Sequence, residues 1–470
     1  MSRLARLRIG AVGIASLAPL ALLTTANFAT QATSVSTQIP VVPMAVVGPM
    51  IASKSKTTVP PPPTPNYCLT TLSQMFNLVV PISCYSPADM AAQYNFPAAS
   101  TGITGKGQTI VIFDSFGSPT IRQDLTTFDN AFHIQPPPSF AIYNPEGAVT
   151  FNYTHVASPA DFHNKNIGTE IGWAYETTLD VEWAHAMAPG ANIALVTVPI
   201  PETQGVQGLQ NLENAQRWAL TNKIGTIWSD SFATTEQAFQ TPSTVISLDK
   251  LYQQAAAQGV SVFFASGDTG VLNTNKQGIP YPYPTVNFPS SSPYVISVGG
   301  TEITNPPATA ITSYQGESVW NDTYGAGGGG YSSIFGETTY QNSAQISDPS
   351  AMRGLPDVSY NAAVISSVLI WESFDPSGSG WIEIGGTSAA TPQWAAVTAL
   401  INQADGPQGF IAPKLYNLAT NPSNYAGAFH DIVAGNNSFF GITGYSATSG
   451  WDAASGLGTP NVSGLISKLG

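Results

Sequence analysis

Charged residues are scarce in this chain of 470 residues, since Asp, Glu, Lys and Arg together make up 9% of it. Acidic residues outnumber basic ones 28 to 15, and the net charge is −13. Such a chain offers no broad basic surface, so we expect neither nucleic acid nor a membrane as a partner. A surface with few ion pairs and many neutral hydrogen-bonding groups suits a protein that works in acid, where paired carboxylates lose their charge.

Cysteine is almost absent, with Cys68 and Cys84 as the only two. Two cysteines cannot build a zinc site alone, and no histidine pair lies near them at ligand spacing. In an exported protein a disulfide bond between them is the favoured interpretation, and two buried thiols are the alternative. The bond would close a loop of roughly 15 residues and stabilise the fold by about 3 kcal/mol on the chain-entropy model.

Long apolar runs are also missing, because no stretch after the N-terminus approaches the roughly 20 residues of a membrane span. Residues 1–32 combine a basic start, a short apolar run broken by Pro19 and a small-residue end. This pattern predicts a secretory signal peptide, with a permanent membrane anchor as the alternative. Residues 33–84 are rich in Pro, Ser and Thr, and are predicted to be an extended or disordered linker with a short N-terminal segment.

Strand and helix patterns alternate from residue 107 onward. Buried strands are predicted at 107–114, 191–198, 224–228, 260–265 and 294–298, and helices at 169–185, 211–221, 248–258 and 388–403. This alternation indicates an α/β fold with a mainly parallel sheet covered by helices on both faces. We expect one large domain over residues 85–470.

A candidate nucleophile stands at the start of the helix predicted at 388–403. Residues 385–392 read GGTSAATP and lead directly into an apolar run. Free backbone N–H groups and the helix dipole favour negative charge there, which a hydroxyl that attacks a carbonyl requires. A simple helix cap by Ser388 or Thr387 is the alternative. The full octapeptide resembles the nucleophile motif of subtilisin-like peptidases.

A serine nucleophile needs a proton acceptor, and histidine does not supply one here. The His-Gly-Thr context that subtilisins use surrounds none of the five histidines, which are His133, His155, His163, His185 and His430. Glu176 and Asp180 lie four residues apart on a predicted helix and therefore share one face. Like charges so close hold one proton to higher pH, so the pair can accept a proton from serine in acid. A solvated acidic helix face is the alternative.

Asp268 follows the strand predicted at 260–265, within the sequence ASGDTG. Catalytic groups of open parallel sheets gather at the carboxyl ends of the strands. A protonated Asp268 could donate a hydrogen bond to a developing oxyanion. The alternative is a turn aspartate that binds its own backbone.

Together these motifs make the chain resemble the sedolisin family, the serine-carboxyl peptidases, over residues 85–470. The resemblance implies a subtilisin-like α/β fold and a secreted, monomeric, acid-active endopeptidase that hydrolyses peptides or proteins. It implies that Ser388 attacks, Glu176 is the base, Asp180 shares the proton and Asp268 stabilises the oxyanion. The alternative is an exported protein that keeps the fold to bind peptides without cleaving them. Sedolisins usually carry a folded pro-domain, which residues 33–84 do not resemble.

The resemblance also implies one structural calcium ion. Family members bind it through an Asp-Ile pair and a later Gly-Trp-Asp, which correspond here to residues 431–432 and 450–452. The implied ligands are two carboxylates and three backbone carbonyls, from Asp431, Ile432, Thr448, Gly450 and Asp452. Such oxygen donors suit a hard cation. Thr448 stands where relatives commonly have glycine, and a Gly/Asp-rich surface loop is the alternative.

Two further segments are predicted to border a substrate cleft. Residues 325–330 (GAGGGG) lack the Gly-Lys-Ser/Thr of a phosphate loop and are predicted to be a flexible wall. Residues 229–233 (SDSFA) are predicted to be an edge that pairs with an extended peptide. Phe232 and Ala233 stand where the family tends to Trp-Gly, which affects the shape of the specificity pocket.

Overall fold

The computed structural model describes residues 42–43, 46–52, 59–63, 83–151, 165–200, 206–275, 278–305, 307, 309–344, 351–375 and 378–470. All of them belong to one unit, Gln38–Gly470. The predicted signal peptide and Cys68 lie outside the described residues.

The helices of the described residues are α1 (Pro87–Gln93), α2 (Ile121–Phe132), α3 (Lys165–Met187), α4 (Val206–Asn222), α5 (Pro242–Ala257), α6 (Thr339–Ser343), α7 (Thr387–Asp405), α8 (Ala412–Ala419), α9 (Pro422–Ala428) and α10 (Val462–Leu469). The strands are β1 (Val42–Pro43), β2 (Val46–Ala52), β3 (Ser83–Tyr85), β4 (Thr109–Ser115), β5 (Phe140–Tyr143), β6 (Asn192–Val198), β7 (Ile227–Asp230), β8 (Phe232–Thr235), β9 (Ser261–Ala265), β10 (Asn287–Phe288), β11 (Ile296–Ile303), β12 (Glu317–Val319), β13 (Gly330–Gly336), β14 (Met352–Leu355), β15 (Val358–Asn361), β16 (Ser366–Glu372), β17 (Gly380–Gly385), β18 (Phe429–His430) and β19 (Thr459–Pro460).

A central sheet runs in the order β12-β11-β9-β7-β4-β6-β5, and β15 also pairs with β11. Every pairing in this sheet is parallel except that between β11 and β12. The predicted mainly parallel sheet is therefore confirmed. Because parallel strands begin and end together, the residues that follow β4, β7 and β9 meet at one edge.

Strand β4 explains why helices cover both faces of this sheet. Ile110 and Ile112 pack in one apolar cluster, which also contains Leu179 of α3 and Leu400 of α7. Val111, Phe113 and their neighbours pack in a second cluster with α4 and α5. A strand that is apolar on both sides must be buried on both sides, which places α3 and α7 on one face and α4 and α5 on the other.

A second, four-stranded sheet has the order β2-β17-β16-β3. Its strand β2 comes from the segment predicted to be a linker, and pairs antiparallel with β17. β1, from the same segment, pairs with β8. Trp381 of β17 also donates a hydrogen bond from Nε1 to the carbonyl of Pro60 (3.0 Å). Parts of the predicted linker are thus components of the sheets.

Cys84, in β3, is disulfide-bonded, as the sequence predicts for the two cysteines. Its strand pairs in parallel with β16, in the layer that leads to β17. Within the part of the chain that the structure describes, no helix is both long enough and apolar enough to cross a membrane.

Candidate active site

Ser388 is the second residue of α7, directly after the turn that leaves β17. Gly386 precedes the helix with φ 104°, a backbone conformation that residues with a side chain rarely adopt. This turn sets Ser388 in the first turn of the helix, where it is fully buried. Its Oγ has no hydrogen-bond partner among the described residues. The serine therefore sits at a positive helix end with its hydroxyl uncommitted.

Asp268 lies in the turn after β9 and contacts the residue before Ser388. Its Oδ1 accepts hydrogen bonds from the backbone N–H and the hydroxyl of Thr387 (2.7 and 2.8 Å). Its Oδ2 is buried and forms no hydrogen bond within the described part of the chain. Burial raises the pKa of Asp268 to about 7, although both bonds from Thr387 oppose the rise. Below neutral pH this carboxyl holds a proton that it can donate.

The turn around Asp268 depends on glycine. Gly267 has φ 122°, and a Cβ there would lie 2.5 Å from Nδ2 of Asn287. The Gly267 N–H in turn donates to the Thr387 hydroxyl (3.1 Å). A side chain at this position would displace the carboxyl from Thr387.

Glu176 and Asp180 are both fully buried on α3, which packs against α7. Oδ1 of Asp180 accepts a hydrogen bond from the hydroxyl of Ser231 (2.9 Å). Burial raises the pKa of Asp180 well above its usual range, and the negative charges of Asp114 and Glu176 raise it further. Since both carboxyls are buried, the solvated acidic face considered above is wrong. One helix face brings the two carboxyls together, as their spacing predicts.

Two carboxyls near this pair were not assigned a role from the sequence. Asp114, in β4, is fully buried, and its burial raises its pKa to about 7. Asp230 ends the neighbouring β7 and accepts a hydrogen bond from Nε2 of Gln216 (2.7 Å). Its pKa is raised well above the usual range by burial, with Gln216 opposing the rise and Asp114 adding to it. A carboxyl at or next to the carboxyl end of a buried strand is the signal that could have identified both.

The described histidines have other partners. Nε2 of His185 lies 3.3 Å from Oδ1 of Asp129, which is a residue of α2. The ring of His430 stacks on Tyr314 with 3.7 Å between centroids, and its burial lowers its pKa to about 4. His133 ends α2 in a left-handed conformation. None of these three forms a hydrogen bond with Oγ of Ser388, while His155 and His163 lie outside the described residues.

The glycine-rich segment 325–330 is buried and held by backbone hydrogen bonds, which contradicts the predicted flexibility and leaves its place beside a substrate cleft as a prediction. The N–H groups of Ala326 and Gly328 donate to the carbonyls of Asp268 (3.0 Å) and Gly267 (2.7 Å). A Cβ on Gly328 would lie 2.3 Å from the carbonyl oxygen of Ser266. Here glycine permits close backbone packing behind the Asp268 turn.

Strands β1 and β2 occupy edges of β8 and β17. β1 pairs antiparallel with β8, placing Val42 opposite Ala233 within the segment predicted to bind an extended peptide. β2 pairs with β17 up to Gly385, three residues before Ser388. Both edges are therefore occupied by extended segments of the chain itself, held by backbone hydrogen bonds.

The loop to which the family resemblance assigns calcium brings two carboxylates to one turn. Oδ2 of Asp452 accepts a hydrogen bond from the N–H of Thr448 (2.8 Å), and both oxygens of Asp431 accept from the N–H of Gly450 (3.1 Å each). Neither carboxylate forms an ion pair with a described basic residue. No cluster of three or more His, Cys, Asp or Glu side chains suited to a metal occurs among the described residues. A cation here would thus depend on backbone oxygens as well, such as those of Ile432, Thr448 and Gly450.

Comparison with known proteins gives a consistent result. Residues 154–414 match the model of the subtilase family. Kumamolisin from Bacillus sp. (strain MN-32) is 33% identical over 388 residues, which cover 80% of this chain and 62% of kumamolisin. Sedolisin from Pseudomonas sp. (strain 101) is 33% identical over 276 residues, or 57% of this chain and 44% of sedolisin.

More distant relatives include the tripeptidyl-peptidase 1 of Canis lupus familiaris, which is 29% identical over 68% of this chain and 55% of the relative. This chain spans about three fifths of the length of kumamolisin and less than half that of sedolisin. Among solved structures, Pseudomonas sedolisin, a serine-carboxyl proteinase complexed with two molecules of pseudo-iodotyrostatin, superposes with a TM-score of 0.66 at 27% identity. The match covers 82% of this chain and 98% of that structure.

Proposed function

We propose that this chain, which belongs to the sedolisin family of serine peptidases, is a serine-carboxyl endopeptidase. We propose that it cleaves peptide bonds in acid. The observation that carries this proposal is the contact between Asp268 and Thr387, beside the buried and uncommitted hydroxyl of Ser388. A protonated carboxyl next to a nucleophile at a helix N-terminus suits the stabilisation of an oxyanion.

In the proposed reaction, Oγ of Ser388 attacks the carbonyl carbon of the scissile bond and its proton passes to the carboxylate of Glu176. The raised pKa of Asp180 supports this division of roles, because a carboxyl that keeps its proton cannot be the acceptor. Ser231 holds Oδ1 of Asp180 in place. The pair thus shares one proton, as two buried carboxyls at close range must.

The tetrahedral intermediate would carry its negative charge on the former carbonyl oxygen. Protonated Asp268 donates a hydrogen bond to this oxygen, which an ionised carboxylate could not do. When the C–N bond breaks, the proton held by Glu176 passes to the leaving amine. Water then attacks the acyl ester, its proton passes to Glu176, and Ser388 regains a proton as its ester bond breaks.

Peptide or protein substrates are proposed to pair with β8 in place of β1, because β8 lies between β1 and β10 and therefore has no free edge. The pairing of the chain's own β1 with this strand supports that mode, since it places an extended segment on the same edge. Several relatives are named tripeptidyl-peptidases, which release short fragments from one end. We favour internal cleavage, and the lengths of the products released from a protein substrate decide between these modes.

We also propose that Asp431, Ile432, Thr448, Gly450 and Asp452 hold one structural calcium ion. Two carboxylates at one turn, with no basic partner among the described residues, support a hard cation there. The ion would neutralise both carboxylates and stabilise the C-terminal loop. It takes no part in the proposed reaction.

Secretion is proposed from the signal pattern of residues 1–32. The low content of charged residues supports an acidic, extracellular setting, and we expect the enzyme to act as a monomer. Recovery of the protein from the medium, with its N-terminus downstream of residue 32, tests this proposal.

The activity is tested with purified protein on a denatured protein substrate at pH 3 to 5, beside the Ser388→Ala variant. We expect cleavage by the wild type and none by the variant. A wild type that binds the substrate without cleaving it between pH 2 and 8 would favour a peptide-binding protein instead.

A further inference from the structure

A cavity of about 470 Å³ opens at the carboxyl ends of β4, β5 and β6, beside the first turn of α2. Its walls include the apolar side chains of Phe116, Ile142 and Leu195. Ser118 and Arg122 supply polar groups to the same cavity. None of the four proposed catalytic residues lines it, so it is distinct from the site described above.

The first turn of α2 presents backbone donors that no side chain caps. Thr120 stands at the cap position but accepts no capping bond, and its hydroxyl donates instead to Oδ2 of Asp124 (2.5 Å). The N–H groups of Gln123 and Asp124 donate to the Thr120 carbonyl (2.8 and 2.9 Å), so it is the dipole of this 12-residue helix that favours an anion at its start.

Ser118 adds a second and independent sign of a ligand. Its side chain is 6% exposed, and its Oγ has no hydrogen-bond partner among the described residues. A buried hydroxyl without a partner loses free energy relative to one in water. Because Ser118 lines the cavity, a bound acceptor there would satisfy it.

Arg122 brings positive charge to the same place in a chain whose net charge is −13. Its guanidinium lies 4.8 Å from the centre of the Phe140 ring and donates to the Phe140 carbonyl (2.9 Å). Arg122 forms no ion pair within the described part of the chain. Its remaining donors are free to meet an anion.

Asp124 is the acidic residue in the first turn of α2, and its carboxyl is bonded to Ser373 and Thr120. Its carboxylate accepts hydrogen bonds from the Ser373 N–H (3.3 Å) and hydroxyl (2.5 Å), as well as from Thr120. Burial raises its pKa to about 6. Near pH 4 it therefore carries little negative charge that would repel an anion.

We propose that this cavity binds the C-terminal carboxylate of a peptide whose last side chain is apolar. The polar groups suit a carboxylate and the walls suit an aliphatic or aromatic side chain. An α-carboxyl has a pKa of about 3.3 to 3.7, below those of the Asp and Glu side chains, so it stays charged in mild acid. This choice of ligand rests on the proposed function, because peptide hydrolysis creates such a terminus at every turnover.

The test measures binding to the Ser388→Ala protein at pH 4.5, so that no turnover contributes. The probes are N-acetyl-leucine, its amide N-acetyl-leucinamide and inorganic phosphate, each titrated by calorimetry. We expect N-acetyl-leucine to bind at least about tenfold more tightly than the amide, because only the acid forms charge-assisted hydrogen bonds. Arg122→Gln and Ser118→Ala should each weaken its binding about tenfold. Lys106→Gln removes one exposed positive charge outside the cavity and should leave binding unchanged.

Equal binding of acid and amide, or no binding of either, would overturn the proposal. Phosphate binding as tightly as N-acetyl-leucine, with the same response to Arg122→Gln, would reduce the site to a general anion site and reject the peptide terminus. These outcomes do not depend on catalysis. An inactive wild type would therefore refute the proposed function while leaving the binding result to be judged by itself.

Discussion

Thr387 donates two hydrogen bonds to a single oxygen of Asp268, one from its backbone N–H at 2.7 Å and one from its hydroxyl at 2.8 Å. The contact joins the turn after β9 to the residue that precedes Ser388. It holds Oδ1 of Asp268 and leaves Oδ2 without a hydrogen bond among the described residues. The proposed oxyanion donor is therefore positioned by the neighbour of the nucleophile.

Replacing Ser388 by Ala should abolish cleavage and leave the fold intact. Its side chain forms no hydrogen bond with the described residues, and even the loss of a helix cap would cost only about 1 kcal/mol. Ser291→Ala is a matched control, because Ser291 is also fully buried without a hydrogen-bond partner. We expect wild-type kcat/KM for the control at pH 4 and similar melting temperatures for all three proteins. Peptidase activity retained in Ser388→Ala would exclude Ser388 as the nucleophile.

Activity should decline as pH rises through the pKa of Asp268, which is about 7. Above this value the ionised carboxylate repels the oxyanion instead of donating to it. Asp268→Asn retains an N–H donor, so it should keep more activity at pH 6 than Asp268→Ala. The measurement is kcat/KM from pH 2 to 8 on one peptide for all three proteins. A wild-type profile that rises to a plateau above pH 7 would point to a histidine base instead.

Thr387→Val should shift the basic limb of that profile upward. The Thr387 hydroxyl lowers the pKa of Asp268, so its removal raises this pKa further while the backbone N–H remains. In the variant, Asp268 should keep its proton to higher pH than in the wild type, so relative activity should also persist to higher pH. The value of kcat is expected to fall, because the Asp268 carboxyl is held less firmly. A fall in kcat with an unmoved limb would mean that another group controls the basic limb.

The free energy of unfolding should be highest in acid and fall as pH rises from about 4 to 8. Burial raises the pKa of Asp114 and Asp268 to about 7 and that of Glu213 to about 8, above the unfolded values of 3.8 and 4.5. The folded state then binds more protons than the unfolded state in this window, so stability falls with pH.

Glu213→Gln tests this directly, because Glu213 is fully buried and both its carboxyl oxygens lack hydrogen-bond partners among the described residues. The variant should match the wild type near pH 4 and melt at a higher temperature at pH 8. Glu337→Gln is the control, because the Glu337 side chain is partly exposed. Its difference in melting temperature from the wild type should be the same at both pH values. A wild type that is more stable at pH 8 than at pH 4 would contradict the expectation.

Removal of calcium should lower the melting temperature, because an ion that binds only the folded state stabilises it by mass action. A chelator at pH 5 should lower the melting temperature of the wild type, and calcium should restore it. Asp452→Ala should be less stable in itself, since Asp452 accepts bonds from Thr448, Ala454 and Ser455, and should not respond to chelator. The site would be refuted if the purified wild type contained no metal and its melting temperature did not change on addition of chelator.

Local patterns in the sequence were enough to place the proposed nucleophile and the carboxyl pair. A spacing of four residues brings Glu176 and Asp180 onto one face of a helix wherever that helix lies. Paired glycines before a small polar run predict a helix start at Ser388, and α7 begins one residue earlier. The alternation of strands and helices likewise determined the parallel sheet, because each apolar strand must be covered on both faces.

Contacts between distant segments were decided by the tertiary structure alone. The charge of Asp114 acts on Asp180 because their strand and helix pack together, and no spacing along the chain encodes that distance. The segment 325–330 reads as flexible from its composition, yet its glycines allow the backbone to approach Ser266 closely. β1 pairs with β8, which lies almost 200 positions away in the sequence. β2 pairs with β17, which lies farther away still. Sequence thus determined which residues carry the chemistry, whereas packing decided which neighbours set their charge and position, because burial and long-range contacts arise only in the folded chain.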